Sequence, residues 1–125
     1  MVWQNVRIYT TSNMPYGTKA NFIRIGNLVT ISVNRQITNI NALVENKLAN
    51  ETIPEGFRPI TQAHLTLTGN TGSTIDATCI CHLDPDGTIR FTNNMTGNRV
   101  WTGTVTYTCV EPMPYVENLN NGYTI

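Results

Sequence analysis

From Lys19 onward the chain alternates apolar and polar positions with a period of two. Asn21, Ile23 and Ile25 fall on one face of the first run, and Ala20, Phe22 and Arg24 on the other. Gly26-Asn27 interrupts the pattern, and in residues 28–34 Val29, Ile31 and Val33 again share a face. Two alternating runs joined by Gly-Asn predict a β-hairpin, because both residues accept the positive φ of a two-residue turn. Residues 63–68 alternate before a turn at 69–72, and residues 74–82 then place Ile75, Ala77, Cys79 and Cys81 on one face. Asp84-Pro85-Asp86-Gly87 predicts a tight turn, since Pro presets φ and Gly accepts left-handed geometry. Residues 88–92 return as a strand with Ile89 and Phe91 inward, and a last run over 100–109 groups Val105, Tyr107 and Cys109.

The stretches between these runs are irregular. Asn39, Asn41, Asn46 and Asn50 dilute an apolar set at 42–48, which predicts a long loop over 38–50 with at most one helical turn. Pro54 and Pro59 bracket Glu55-Gly56-Phe57-Arg58, and two prolines that close together restrict their predecessors as well, giving a stiff corner. Six or seven short strands and no convincing helix predict an all-β fold, an antiparallel β-sandwich or barrel. The expected organisation is an N-terminal strand or neck at 1–18, a β-barrel head at 19–110 and a C-terminal extension at 111–125.

Length and charge narrow the function classes. A chain of 125 residues buries one core without metal or disulfide staples. Its formal net charge is zero and 13% of its residues are charged, so it lacks the cationic surface that drives nucleic-acid binding. Thr and Asn are abundant instead, the first suited to strands and the second to turns. Three cysteines, Cys79, Cys81 and Cys109, with no leader-like segment, lead us to expect reduced thiols and cytoplasmic synthesis. No window is long and apolar enough for a membrane-spanning helix.

In order along the chain come the strand 26–34, Ile37-Thr38-Asn39-Ile40, a loop, the corner 53–59, the turn 83–89 and the strand 103–107. This order resembles the head domain of receptor-binding proteins at the tail tip of bacteriophages infecting Gram-positive bacteria, the lactococcal siphophage type especially. The resemblance spans about residues 20–109. It implies a compact β-barrel head, a homotrimer, and adhesion to a host cell-surface saccharide or glycerol-phosphate polymer. It further implies neither catalysis nor cofactor, contacts with other tail or baseplate proteins, no nucleic acid, no membrane insertion, and a place at the virion tail tip after synthesis in the host cytoplasm. In some members a His and an Asp two apart precede the turn, a Trp lies on the next strand, and an Arg follows. The matching positions here are Ile80, His82, Phe91 or Thr92, and about Thr102, whose types differ, so that saccharide pocket does not transfer.

The residues themselves offer a different candidate set. His82 lies just before the tight turn on the face opposite Cys81, and Arg90 lies opposite Ile89 and Phe91, on the same outward face across the hairpin. Together they suit a phosphate-bearing polymer, since Arg binds phosphate bidentately and charged His adds donors. The plainer reading makes His82 a surface histidine, and His64 is a weaker candidate still. Trp101, with Trp3 and Tyr9, Tyr16, Tyr107 and Tyr115, offers rings that stack on sugar C–H faces, against the alternative that Trp101 fills the core or a subunit interface. Cys79-x-Cys81 with His82 falls short of a tetrahedral zinc set, and buried structural thiols are expected. No Ser sits in a nucleophile elbow, and Asp84 and Asp86 read as turn formers rather than a glycosidase pair. Two other readings remain open: a structural baseplate or tail-fibre module that binds virion proteins only, and a bacterial lectin-like module.

Overall fold

The computed structural model describes residues 6–12, 14, 18–37, 47–94, 99–114 and 118–120. The strands are β1 (Val6–Thr10), β2 (Ala20–Ile25), β3 (Leu28–Ile37), β4 (Lys47–Leu48), β5 (Ala63–Asn70), β6 (Ile75–Leu83), β7 (Ile89–Asn93), β8 (Arg99–Thr108) and β9 (Asn118–Asn120). They form one nine-stranded sheet in the order β4-β7-β6-β5-β8-β3-β2-β1-β9. Every neighbouring pair is antiparallel except β1 and β9, which run parallel. The domain is therefore all-β, a curled sheet of half-barrel form, with no helix among the described residues.

The curl has a local cause. β8 pairs with β3 along its whole length, from Arg99↔Ile37 to Thr108↔Leu28. Its pairing with β5 covers only Val100, Trp101 and Thr102. The split comes at Gly103, where any Cβ would collide with the Thr66 carbonyl and stand 2.8 Å from Leu67 Cδ2. Absence of a side chain lets the two halves of the sheet fold over each other at that crossing.

The inward positions of both halves then form one core. β2 and β3 contribute Ala20, Phe22, Val29, Ile31 and Val33; β5 to β7 contribute Leu65, Leu67, Ala77, Cys79, Cys81, Leu83, Ile89 and Phe91. The Gly26-Asn27 hairpin forms as the pattern predicts, with Ile25 opposite Leu28 and Gly26 at φ +60°. The Asp84–Gly87 turn closes through the Gly87 N–H donating to Asp84 O at 2.9 Å, with Gly87 at φ +94°.

Three expectations need correction. The loop expected over 38–50 gives way at its end to β4, whose Lys47 and Leu48 pair with Phe91 and Arg90; residues 38–46 lie outside the described set. Gly69 and Asn70 belong to β5 rather than to a turn, because the turn closes two residues later, where Thr71 N–H donates to Thr74 O at 3.0 Å. Ile75 does not join Ala77 in the core but is 75% exposed, since it pairs with Asn70 at the hairpin tip beyond the bulge. The C-terminal extension lies against the fold: Glu111 and Pro114 bind the Pro54–Pro59 corner and β1, and residues 118–120 pair with β1.

That corner plugs one end of the curled sheet. Phe57 is fully buried, its ring set edge-on to Phe22 at 6.4 Å and tilted against Tyr9 at 6.0 Å. A buried loop must have its backbone polar groups satisfied. Glu111 Oε1 accepts from Gly56 N–H at 2.8 Å and from Arg58 N–H at 3.2 Å. Tyr107 donates its hydroxyl to the Phe57 carbonyl. The buried Arg24 donates Nη1 to Gly56 O at 2.7 Å and Nε to Gly26 O at 2.8 Å, with Cys109 Sγ at 3.3 Å from Nη1. Its guanidinium thus ties the first hairpin turn to the corner through carbonyl dipoles.

Truncating Phe57→Ala is expected to lower unfolding free energy by about 3–5 kcal/mol in a urea titration, the range for a buried Phe that cannot be refilled. Gly103→Ala is expected to cost about 1–3 kcal/mol by overpacking the crossing, whereas the same change at the open position Gly72 meets no neighbour and acts only through its φ of +102°.

Candidate functional site

Outside the core, the second half of the sheet presents a polar row. On β5, β6 and β7 the pairs His64↔His82 and His82↔Arg90 are in register, so the three side chains line up across adjacent strands on the outer face. Alternation places them there, because their chain neighbours Leu65, Cys81, Leu83, Ile89 and Phe91 all point into the core. The two imidazoles meet edge to face, with ring centroids 4.7 Å apart and planes at 86°. His82 Nε2 lies 3.2 Å from Thr92 Oγ1. His64 Nε2 donates to Gln62 Oε1 at 3.1 Å, and the Gln62 amide donates to Asp84 Oδ1 at 2.6 Å. Leu48, exposed on β4, stands opposite Arg90 and ends the row.

The surroundings of His82 disfavour its charged form. Burial comes first in pulling its pKa below the usual 6.5, then the neighbouring His64; Asp84 opposes the shift and Arg90 adds to it. On the outer turn Asp86 accepts from Thr88 N–H at 2.9 Å, a bond that holds its carboxyl below the usual carboxylate range.

Of the three residues singled out from sequence, His82 and Arg90 come together as the hairpin register requires, while Trp101 does not join them. Trp101 is fully buried and its Cε2 faces Gly69, leaving no ring surface for a sugar. Its Nε1–H has no hydrogen-bond partner, so the indole serves packing rather than recognition. The core-filling alternative is the one the structure adopts. Tyr9 and Tyr107 are buried as well, each spending its hydroxyl on a structural bond, to Glu51 and to Phe57 O. Trp3, Tyr16 and Tyr115 lie outside the described residues.

The sequence reading ranked His64 low and missed Gln62. His64 becomes a ring neighbour of His82 only because the bulge at Gly69 sets the register, and Gln62 enters by bridging His64 to Asp84. The period of two did place His64 on the polar face, which was the one available signal.

Several other reactive groups among the described residues are occupied or enclosed. Asp76 clamps Arg99 through bonds of 2.8 and 3.0 Å, which hold its carboxyl below the usual range. Glu51 receives Tyr9 and the Ser12 N–H, and Glu111 holds the corner. All three cysteines are free and buried; burial raises Cys79 to about 12 and raises Cys81 as well. Among the described residues no three His, Cys, Asp or Glu side chains gather as a metal set, and no helix is long and apolar enough to cross a membrane.

Two measurements check these environments. Because the folded state favours neutral His82, the unfolded chain binds its proton more readily below about pH 6.5. The stability this contributes is complete above that pH and lost as pH falls through the lower folded value. The urea midpoint is therefore expected to drop between pH 7.5 and pH 5, and to drop less in His82→Gln. Native protein is expected to react slowly with a thiol-specific disulfide reagent and to release three equivalents after denaturation.

Compared with models of known protein families and with curated proteins, the chain matches none. Its outer-face chemistry is therefore what a functional reading has to stand on.

Proposed function

We propose that this chain is a non-catalytic recognition head of the phage tail receptor-binding type, displayed at the virion tail tip, which adheres to a phosphate-bearing saccharide of the host cell wall. The observation that carries the proposal is the cross-strand row His64–His82–Arg90 on a rigid outer sheet face. Arg90 would take two phosphate oxygens with its planar fork, while imidazole N–H groups, Thr92 and Gln62 meet the remaining oxygens and sugar hydroxyls. A neutral His82 at pH 7 donates a hydrogen bond without repelling Arg90, and gains charge only at lower pH. Such a site needs no cofactor. The ordered sequence features that resemble receptor-binding heads support the same reading, as does the structural employment of Asp76, Asp86, Glu51 and Glu111, which leaves them poorly placed for hydrolysis.

Binding at one such row is weak, in the micromolar to millimolar range, and several copies on one tail tip supply avidity. The second reading, a baseplate or tail-fibre module that binds virion proteins only, is favoured by a separate observation: the opposite half of the sheet carries an exposed aliphatic face.

Calorimetry against glycerol-phosphate oligomers and host-wall polysaccharide separates the two. The wild-type chain is expected to bind, with affinity falling as salt rises. The double variant His82→Ala/Arg90→Ala is expected to lose at least about tenfold, or 1.4 kcal/mol, in affinity. Unchanged binding by that variant moves the ligand to another face. No binding by the wild type, together with capture of a virion protein, establishes the scaffold reading in its place.

A further inference from the structure

The two imidazoles of the row His64–His82–Arg90 are held by unequal hydrogen bonds. An ionised Asp84 only accepts, so the end of the Gln62 amide that reaches its Oδ1 at 2.6 Å is the NH2 group. Gln62 Oε1 is thereby turned towards His64, and the 3.1 Å contact makes His64 Nε2 the nitrogen that carries hydrogen. The lone pair of a neutral His64 then sits on Nδ1. A proton added there makes the Nε2–H bond charge-assisted, through an amide that Asp84 polarises. His82 is placed otherwise: it is half-buried, Nε2 meets the Thr92 hydroxyl at 3.2 Å, and Arg90 stands beside it. The two rings meet edge to face with centroids 4.7 Å apart, the positive edge of one against the electron-rich face of the other. One charge fits such a contact, and two repel across it.

Among the described residues, the charges facing this pair come from two elements. Arg90 comes from β7 and Asp84 from the turn after β6, where Asp86 in turn acts on Arg90. β4 brings Leu48 opposite Arg90, and its Lys47 stands opposite the inward Phe91. On the β8 side of His64 the outward positions are Thr102, Thr104 and Thr106. With both imidazoles neutral, one guanidinium therefore faces two carboxylates, and an incoming phosphate meets no net positive charge.

We propose that phosphate binding at this row draws one proton from solvent on to His64 Nδ1, so that adhesion strengthens as pH falls. The inference rests on the phosphate reading of the site and adds the condition under which the site works. A phosphate seated over His82 lies about 5 Å, one strand spacing, from both His64 and Arg90. Its charge stabilises the imidazolium while Gln62 and Asp84 hold the other N–H, which makes Asp84 a positioning residue. His82 stays neutral and donates, because burial and then His64 already disfavour its charged form, and a cationic His64 opposes that form further. Proton and phosphate thus favour each other at one site, and the linkage is reciprocal.

Calorimetry with a glycerol-phosphate oligomer that ends in glycerol tests the coupling, because every phosphate in it is a diester with no proton to exchange near neutrality. Affinity is expected to rise at least about fivefold from pH 8 to pH 6, and runs in buffers of different ionisation enthalpy are expected to show uptake that never exceeds one proton. Imidazole carbon–proton NMR at pH 7 is expected to move His64 towards its charged shift on oligomer addition and to leave His82 at its neutral one. Asp84→Asn is expected to lose about half of the pH gain while binding at pH 8 at least as tightly as wild type, a split that a merely structural role would not produce. Binding without proton uptake overturns the coupling and leaves the ligand reading standing. A proton that lands on His82, or on both rings, overturns the assignment to His64. No binding of the oligomer at any pH removes the ligand reading and this inference together.

Discussion

Burial of Phe57 on an irregular segment is the constraint around which the fold is organised. A loop can enter a protein interior only if its peptide groups find partners there, and each partner here comes from a different part of the chain. Arg24 comes from β2, Tyr107 from β8 and Glu111 from the stretch after β8. Ile53 N–H donates to Gly87 O at 2.8 Å, so the tight turn between β6 and β7 is tied in as well. One plug thereby joins both halves of a sheet whose direct pairing, between β5 and β8, spans only three residue pairs. Arg24 is central because a guanidinium offers several donors in one plane and needs no carboxylate when carbonyl dipoles converge on it.

With the interior sealed in this way, the two halves of the sheet are free to differ outside. β5 to β7 expose imidazoles, a guanidinium and hydroxyls in a single row; β1 to β3 with β8 expose aliphatic and threonine side chains. The split in chemistry follows the fold line at Gly103. One sheet thereby presents a polar face and an apolar face, two surfaces of different chemistry on a single domain. Threonine serves both surfaces, since its branched carbon favours the strand while its hydroxyl bonds to a neighbour, as between Thr30 and Thr106 or Thr92 and His82.

How much of this was written in the pattern of residues varies with distance along the chain. The β2–β3 hairpin and the Asp84–Gly87 turn were legible, and so was the outward pairing of His82 with Arg90, because each is decided within a few residues. Parity also grouped Arg24 with Ala20 and Phe22; Trp101 shares the parity of Val105, Tyr107 and Cys109, which favours the core-filling alternative over the sugar contact. A charge on a core face contradicts composition rules, however, and nothing local announced the carbonyl of Gly56, 32 residues away, that resolves the conflict. A turn at 69–72 would set Thr68 opposite Ser73, whereas a turn closed at Thr71–Thr74 together with the one-residue shift at Gly69/Asn70 sets it opposite Thr78, and only that register carries His64 to His82.

Alternation, turn chemistry and the absence of charge are properties of neighbouring residues, and they determined an all-β chain, its hairpins and the side of the strand on which each candidate lies. Which strands adjoin, where the sheet folds over, and whose side chain reaches the buried corner were decided only in three dimensions. The contact of Arg7 with Pro114 joins residues 107 apart, and that of Arg24 with Cys109 joins residues 85 apart. Such contacts depend on every register between them, and a single bulge or a missing Cβ changes the outcome for all.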